Sequence, residues 1–247
     1  MGDPGVREAA RTITVWDLPT RIFKWLLVVF VSAAFLLSSR RPHGLLFLVH
    51  VSCGYAVVLL LLFRLGWGFV GGEHARFRSF VRGWRPVRAY GRDLLRFAPP
   101  RTTGHNPVGG WVILLMLGTL AAIVLTGLLS EGKTGGGGIL SGALPAGAVG
   151  LVGWVHGTLG FAIIWLAGAH VAGVLVESLL HRENLVRTMI TGRKRVADPA
   201  AVDARGVSPW RAGVLVVAIA VFGVWMVGGT RMPPAGAVRA EGVSARR

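Results

Sequence analysis

Acidic side chains are scarce in this chain: 11 Asp and Glu stand against 27 Lys and Arg, and charged residues of both signs make up only 15% of 247 residues. A soluble domain of this size carries nearer a quarter, so a water-soluble globule is excluded. Cysteine is almost absent. Cys53 stands alone, which excludes an internal disulfide, a thiolate-rich metal site and any C-x-x-C-H attachment. No nucleic-acid motif accompanies the basic excess, and the charge is arranged loop by loop rather than as one patch. Partners of that class are therefore not expected. Glycine is plentiful in the loop around Gly135 to Gly138, but no strand precedes it, so a phosphate-binding loop is excluded as well.

What is plentiful is apolar: 53% of the residues. They gather into runs long enough to cross a hydrocarbon core of about 30 Å. Five such runs stand out, 22–39, 45–70, 107–130, 151–180 and 211–229. The expectation is an all-α integral membrane protein: a four-helix transmembrane bundle with a fifth, C-terminal transmembrane helix. The first run is as long as a span and has no small-residue cleavage site, so no secretory signal is expected. Segment 1–21 precedes the bundle, which extends over 22–195. A linker covers 196–210, the extra helix 211–229 and a disordered tail 230–247. The loop 71–106 holds eight arginines against Glu73 and Asp93, and part of it, 86–97, is expected to form an amphipathic surface helix. The N-terminus, this loop and the 181–207 loop share one side and collect most of the basic residues. The opposite side has Arg40, Arg41, Lys133 and the tail arginines. The positive-inside rule makes the rich side cytoplasmic. The expected location is a bacterial inner (plasma) membrane, multi-pass, with the N-terminus in the cytoplasm.

Ionisable groups within membrane spans are costly and mark functional sites by default. The run 151–180 carries two histidines, His156 and His170. Fourteen positions apart on a helix, they leave from nearly the same face, about 21 Å apart at roughly 1.5 Å per residue. His50 opens the second run. Helix alternation puts His50 and His156 at matching depth on the side away from the basic loops. That is the arrangement needed for one bis-histidine haem b, held non-covalently between the second and fourth spans. Glycines at Gly54, Gly157, Gly160, Gly168 and Gly173 leave room for a flat ring against the backbone.

His170 calls for a partner on the basic side, and the residue of matching depth is Lys24. Four readings stand open there: a cation anchored at the interface, an axial amine ligand that must be deprotonated, an iron bound by His170 alone, or no haem. His74, His105 and His181 fall in loops or at span edges and are poor substitutes. Arg21, Arg64 and Arg182 are candidates for pairing haem propionates through bidentate contacts. A transporter or channel needs a polar path, and the third and fifth spans offer none.

These residues resemble the bacterial cytochrome b561 and nickel-iron hydrogenase b-type cytochrome family. The likeness runs over roughly residues 14 to 195. Its motifs stand as Val15-Trp16-Asp17, Thr20-Arg21 and Lys24-Trp25; as His50 with Gly54-Tyr55; as Phe69-Val70-Gly71 through His74-Ala75-Arg76-Phe77; as Gly104-His105-Asn106-Pro107; and as His181-Arg182-Glu183-Asn184-Leu185 to Gly192-Arg193-Lys194-Arg195. The family implies four histidines on a four-helix bundle, two b haems, and electron relay between quinone and a redox partner protein such as a hydrogenase or a cytochrome. It implies His50 and His156 for the outer haem and His170 for the inner one. The family's first-span histidine is replaced here by Lys24. The alternative is therefore a membrane anchor subunit that has lost the inner haem, with a mainly structural or one-haem role.

Overall fold

The computed structural model describes residues 11–38, 44–130, 140, 143–196 and 201–229. The expected 40–44 connection lies mostly outside these residues. Residues 1–10 of segment 1–21, Lys133, Gly135 to Gly138 and the 230–247 tail lie outside them.

Among the described residues, four helices are long and apolar enough to cross a membrane: α1 (Leu18–Leu36), α2 (Leu45–Val70), α5 (Pro107–Leu129) and α6 (Ala146–His181). They meet around Val57 and Leu61 of α2, Leu120 of α5 and Ile163 of α6, with Leu27 and Phe30 of α1 packed against them. Outside this seam the helices present bare apolar side chains: Val29 is 58% exposed, Trp165 79%. A surface of that kind is stable only against lipid.

Asp17 fixes where α1 begins. Its carboxylate accepts from Thr20 N at 2.8 Å as the N-cap, and Pro19 occupies the first turn, where a missing N–H costs nothing. The helix thus starts at Leu18, four residues before the apolar run. The same carboxylate takes Gly72 N at 3.0 Å and Trp67 Nε1 at 3.2 Å, tying the start of α1 to the end of α2. The Asp17→Ala variant removes a cap and two further bonds to a charged acceptor. It is expected to lose about 3 kcal/mol, read as a lower thermal midpoint in detergent.

The 71–106 segment is not a bare loop. A 3₁₀ turn (Glu73–Ala75) leads to the short α3 (Phe77–Phe80) and to the amphipathic α4 (Trp84–Leu95). Val87 and Tyr90 of α4 are buried, while Arg85, Arg88 and Arg92 are exposed. Glu177, near the end of α6, gathers this layer: it accepts from Tyr90 Oη and from Asn106 Nδ2, the latter at 2.6 Å. Burial and the Glu177 carboxylate hold the Tyr90 phenol above its ordinary value.

One feature departs from the all-α expectation. β1 (Arg11–Thr14) pairs antiparallel with β2 (Arg193–Val196), Arg11 opposite Val196. The next residues continue the join: Val15 N and Trp16 N both donate to Gly192 O, at 2.8 and 3.1 Å. Gly192 sits at φ 78°, and a Cβ there would come 2.6 Å from Trp16 O, so glycine is required. Gly192 also caps the short α7 (Leu185–Thr191). Beyond it, α8 (Pro209–Gly229) packs along α2. Gly66 makes room for Leu215, which a Cβ would approach to 2.8 Å.

Candidate functional site

α1 and α2 run antiparallel, as do α5 and α6, so the start of α2 and the upper part of α6 share one level. His50 and His156 meet there. Their ring centres are 6.1 Å apart and the planes cross at 83°. The His50 ring bonds through Nδ1 to Ala34 O at 2.7 Å, and the His156 ring through Nδ1 to Ile123 O at 2.9 Å. A carbonyl can only accept, so each Nδ1 carries the proton and each Nε2 keeps a lone pair. A neighbouring carbonyl that fixes the tautomer in this way is what a ligating imidazole needs. Gly127 of α5 makes this possible: a Cβ there would sit 3.0 Å from His156 Cε1.

The pair can be tested against a haem. A metal between two imidazoles needs about 2 Å to each nitrogen and roughly 1 Å more to each ring centre, about 6 Å in all. The observed separation agrees. Among the described residues no group of three or more His, Cys, Asp or Glu is placed to hold a metal ion. A metal held by two protein ligands requires the rest of its coordination from a macrocycle. Space for one exists, since a Cβ added at Gly54, Gly157 or Gly160 would meet nothing within 4 Å. The spacing of His50 and His156 fits haem b.

The basic side is built differently. Lys24 Nζ lies 4.0 Å from the centre of the Trp16 ring and donates to Met189 Sδ at 3.0 Å. The Lys24 nitrogen is thus taken up by an aromatic face and a thioether sulfur. His170 is half-buried on α6, within electrostatic reach of Lys24.

His105 enters this cluster, where a loop position predicts a bystander. Its ring lies 4.5 Å from Trp16 and 5.0 Å from Phe80. Its Nδ1 is buried and has no hydrogen-bond partner among the described residues. Burial, then the charges of Lys24 and Arg64, hold His105 well below the ordinary histidine range, so it is neutral. The Gly104-His105-Asn106-Pro107 turn was the available signal. Asn106 caps α5 through Gly109 N at 2.6 Å, which fixes the histidine beside it.

The three arginines divide. Arg64 is 5% exposed. Its guanidinium carbon is 4.8 Å from the Phe77 ring and 5.5 Å from Phe80, and Nη1 has no partner among the described residues. Arg64 therefore belongs to the basic-side cluster. Arg21 instead reaches Ile190 O at 2.6 Å. Arg182 is exposed at the end of α6 in the left-handed region, φ 53°. His181 is buried beside Glu177, and His74 packs on Trp16 at 6.1 Å.

Known proteins resemble this chain over most of its length. The family described as prokaryotic cytochrome b561 matches residues 15–192, more than half of the chain. A probable Ni/Fe-hydrogenase B-type cytochrome subunit of Bradyrhizobium diazoefficiens is 23% identical over 78% of this chain and 91% of its own length. Proteins of the same description from Azotobacter chroococcum and Escherichia coli K12 are 24% and 25% identical. They cover 80% and 72% of this chain, and 94% and 88% of their own lengths. No solved structure gives a significant match.

Proposed function

The chain belongs to the prokaryotic cytochrome b561 family and is a membrane b-type cytochrome; from that premise we propose that it carries electrons through one haem b, held by His50 and His156, between the quinone pool and a redox partner protein. The observation that carries the reading is the His50–His156 pair, 6.1 Å apart with both Nδ1 atoms bonded to carbonyls. Haem b bound there supplies reversible one-electron chemistry. The protein orients both imidazoles, keeps their Nε2 lone pairs free, and surrounds the site with apolar helix faces that exclude water. The partner is a nickel-iron hydrogenase, as the names of the relatives suggest, or a soluble cytochrome. The crowded arginines of 71–106 support an N-terminus in the cytoplasm, and α8 is taken as a fifth span.

The engaged Lys24 favours a reduced form of the family's scheme, in which the basic-side haem is lost and His170 has no iron to bind. The chain then joins its partner to the membrane and passes electrons on the outer side alone.

A dithionite-reduced-minus-oxidised spectrum of the purified chain tests the core of this reading. A reducible b-type α-band that pyridine haemochrome confirms is the expected result. A protein reconstituted with haem that shows no such band overturns it.

A further inference from the structure

α8 does not lie against α1. Between them, floored by α2, is a cavity of about 750 Å³. Its walls run from Leu18 to Phe30 on α1, from Trp67 back to Ala56 on α2, and from Pro209 to Ala220 on α8. At roughly 1.5 Å per residue each wall is about 17 Å deep. Half of a hydrocarbon core is about 15 Å. The cavity therefore starts at the ends of the spans on the basic side and stops near the midplane. Ile22, Leu26 and Val216 line it and are 49%, 40% and 53% exposed, so it opens sideways to the bilayer.

The apolar walls give way to polar groups only at the basic-side end. Asp17, Glu73, His74 and Arg205 stand there. The Asp17 carboxylate is already taken up by Thr20 N, Trp67 Nε1 and Gly72 N. Burial holds His74 below its ordinary value against the pull of Glu73, so it adds no charge. Glu73 and Arg205 remain. Glu73 is exposed and, among the described residues, accepts the Arg205 backbone N–H at 3.1 Å, and the Arg205 side chain is exposed. A carboxylate thus stands at headgroup depth against the backbone of an arginine whose side chain is exposed, one leaflet above the blind end of an apolar slot.

We propose that this slot binds a phospholipid of the basic-side leaflet, its acyl chain between α1 and α8 and its amine-bearing zwitterionic headgroup between Glu73 and Arg205. The charge pair decides the headgroup. An ethanolamine lipid offers an ammonium to Glu73 and a phosphate to Arg205, and both bonds are charge-assisted. An anionic lipid offers the phosphate alone and sets its uncompensated charge against Glu73. A fifth helix packed on α2 but set apart from α1 then has a purpose: it closes a lipid site that the four-helix bundle alone leaves open.

The full-length protein, purified from membranes or nanodiscs of equal phosphatidylethanolamine and phosphatidylglycerol content, is tested by native mass spectrometry and by extraction of the retained lipid. Phosphatidylethanolamine is expected to be enriched severalfold over the bulk ratio. Ala56→Phe, which fills the floor of the slot, abolishes that retention, and Glu73→Gln removes the headgroup preference while lipid stays bound. Ala220→Phe on the opposite wall repeats the test should Ala56→Phe not fold. Lipid at the bulk ratio in both wild type and filled variants overturns the proposal, as does a quinone retained in place of phospholipid and displaced by the filling residue. The haem spectrum is recorded alongside, since the slot stands or falls independently of it.

Discussion

Replacing His156 with alanine is expected to abolish the reduced-minus-oxidised α-band of the purified protein. On the proposed reading the imidazole supplies one of two protein ligands to the metal, and its Nδ1 is fixed by Ile123 O at 2.9 Å. Nothing nearby replaces it: Thr126 Oγ1, 3.3 Å from the same Nδ1, is a poor ligand for haem iron. His50→Ala acts equally, since the two rings face each other at 6.1 Å. Alanine also opens a gap beside Gly127. Loss of bound haem removes its stabilisation of the folded state, so the thermal midpoint falls too. His170→Ala is the control. On the one-haem reading it leaves the α-band and the haem content unchanged. Equal losses in His156→Ala and His170→Ala would overturn the assignment of the haem to the outer pair.

The contrast between those two histidines shows what was legible in the sequence. Depth matching alone pairs His50 with His156, because helix alternation and span length set where each residue lies. The span 45–70 coincides with α2 for the same reason: its apolar run and its helix end together. Where side chains rather than hydropathy end a helix, the reading shifts. Asp17 starts α1 at Leu18, and α6 extends to Ala146–His181, past both ends of its apolar core.

Contacts between distant residues were not legible. β1 and β2 lie near opposite ends of the bundle sequence, and both strands are polar, so neither shows the alternation that marks a strand. His105 looks like a loop residue until Trp16 and Phe80 close on it. Gly127 carries no signal in an apolar run, since its meaning depends on the ring facing it from another helix. Lys24 is the clearest case. The sequence leaves four readings open at that position. The Trp16 face and Met189 Sδ narrow them, and neither neighbour is close in sequence.

That narrowing leads to a second large effect. Lys24→His is expected to raise the haem-to-protein ratio, by pyridine haemochrome against protein concentration, from one to two. Histidine removes the cation from Trp16 and the donor from Met189, and offers in their place an imidazole at the depth of His170. The porphyrin needs room beside α6, and a Cβ added at Gly168 or Gly173 would meet nothing within 4 Å. Lys24→Met separates ligation from charge: it removes the cation without supplying a nitrogen, and is expected to keep the ratio at one. Two haems in the wild type would overturn the one-haem reading and direct attention to amine or five-coordinate ligation at His170. A ratio of one in all three proteins would leave that reading standing, and would mean that Trp16 and His105 have closed the basic-side site beyond what one side chain can reopen.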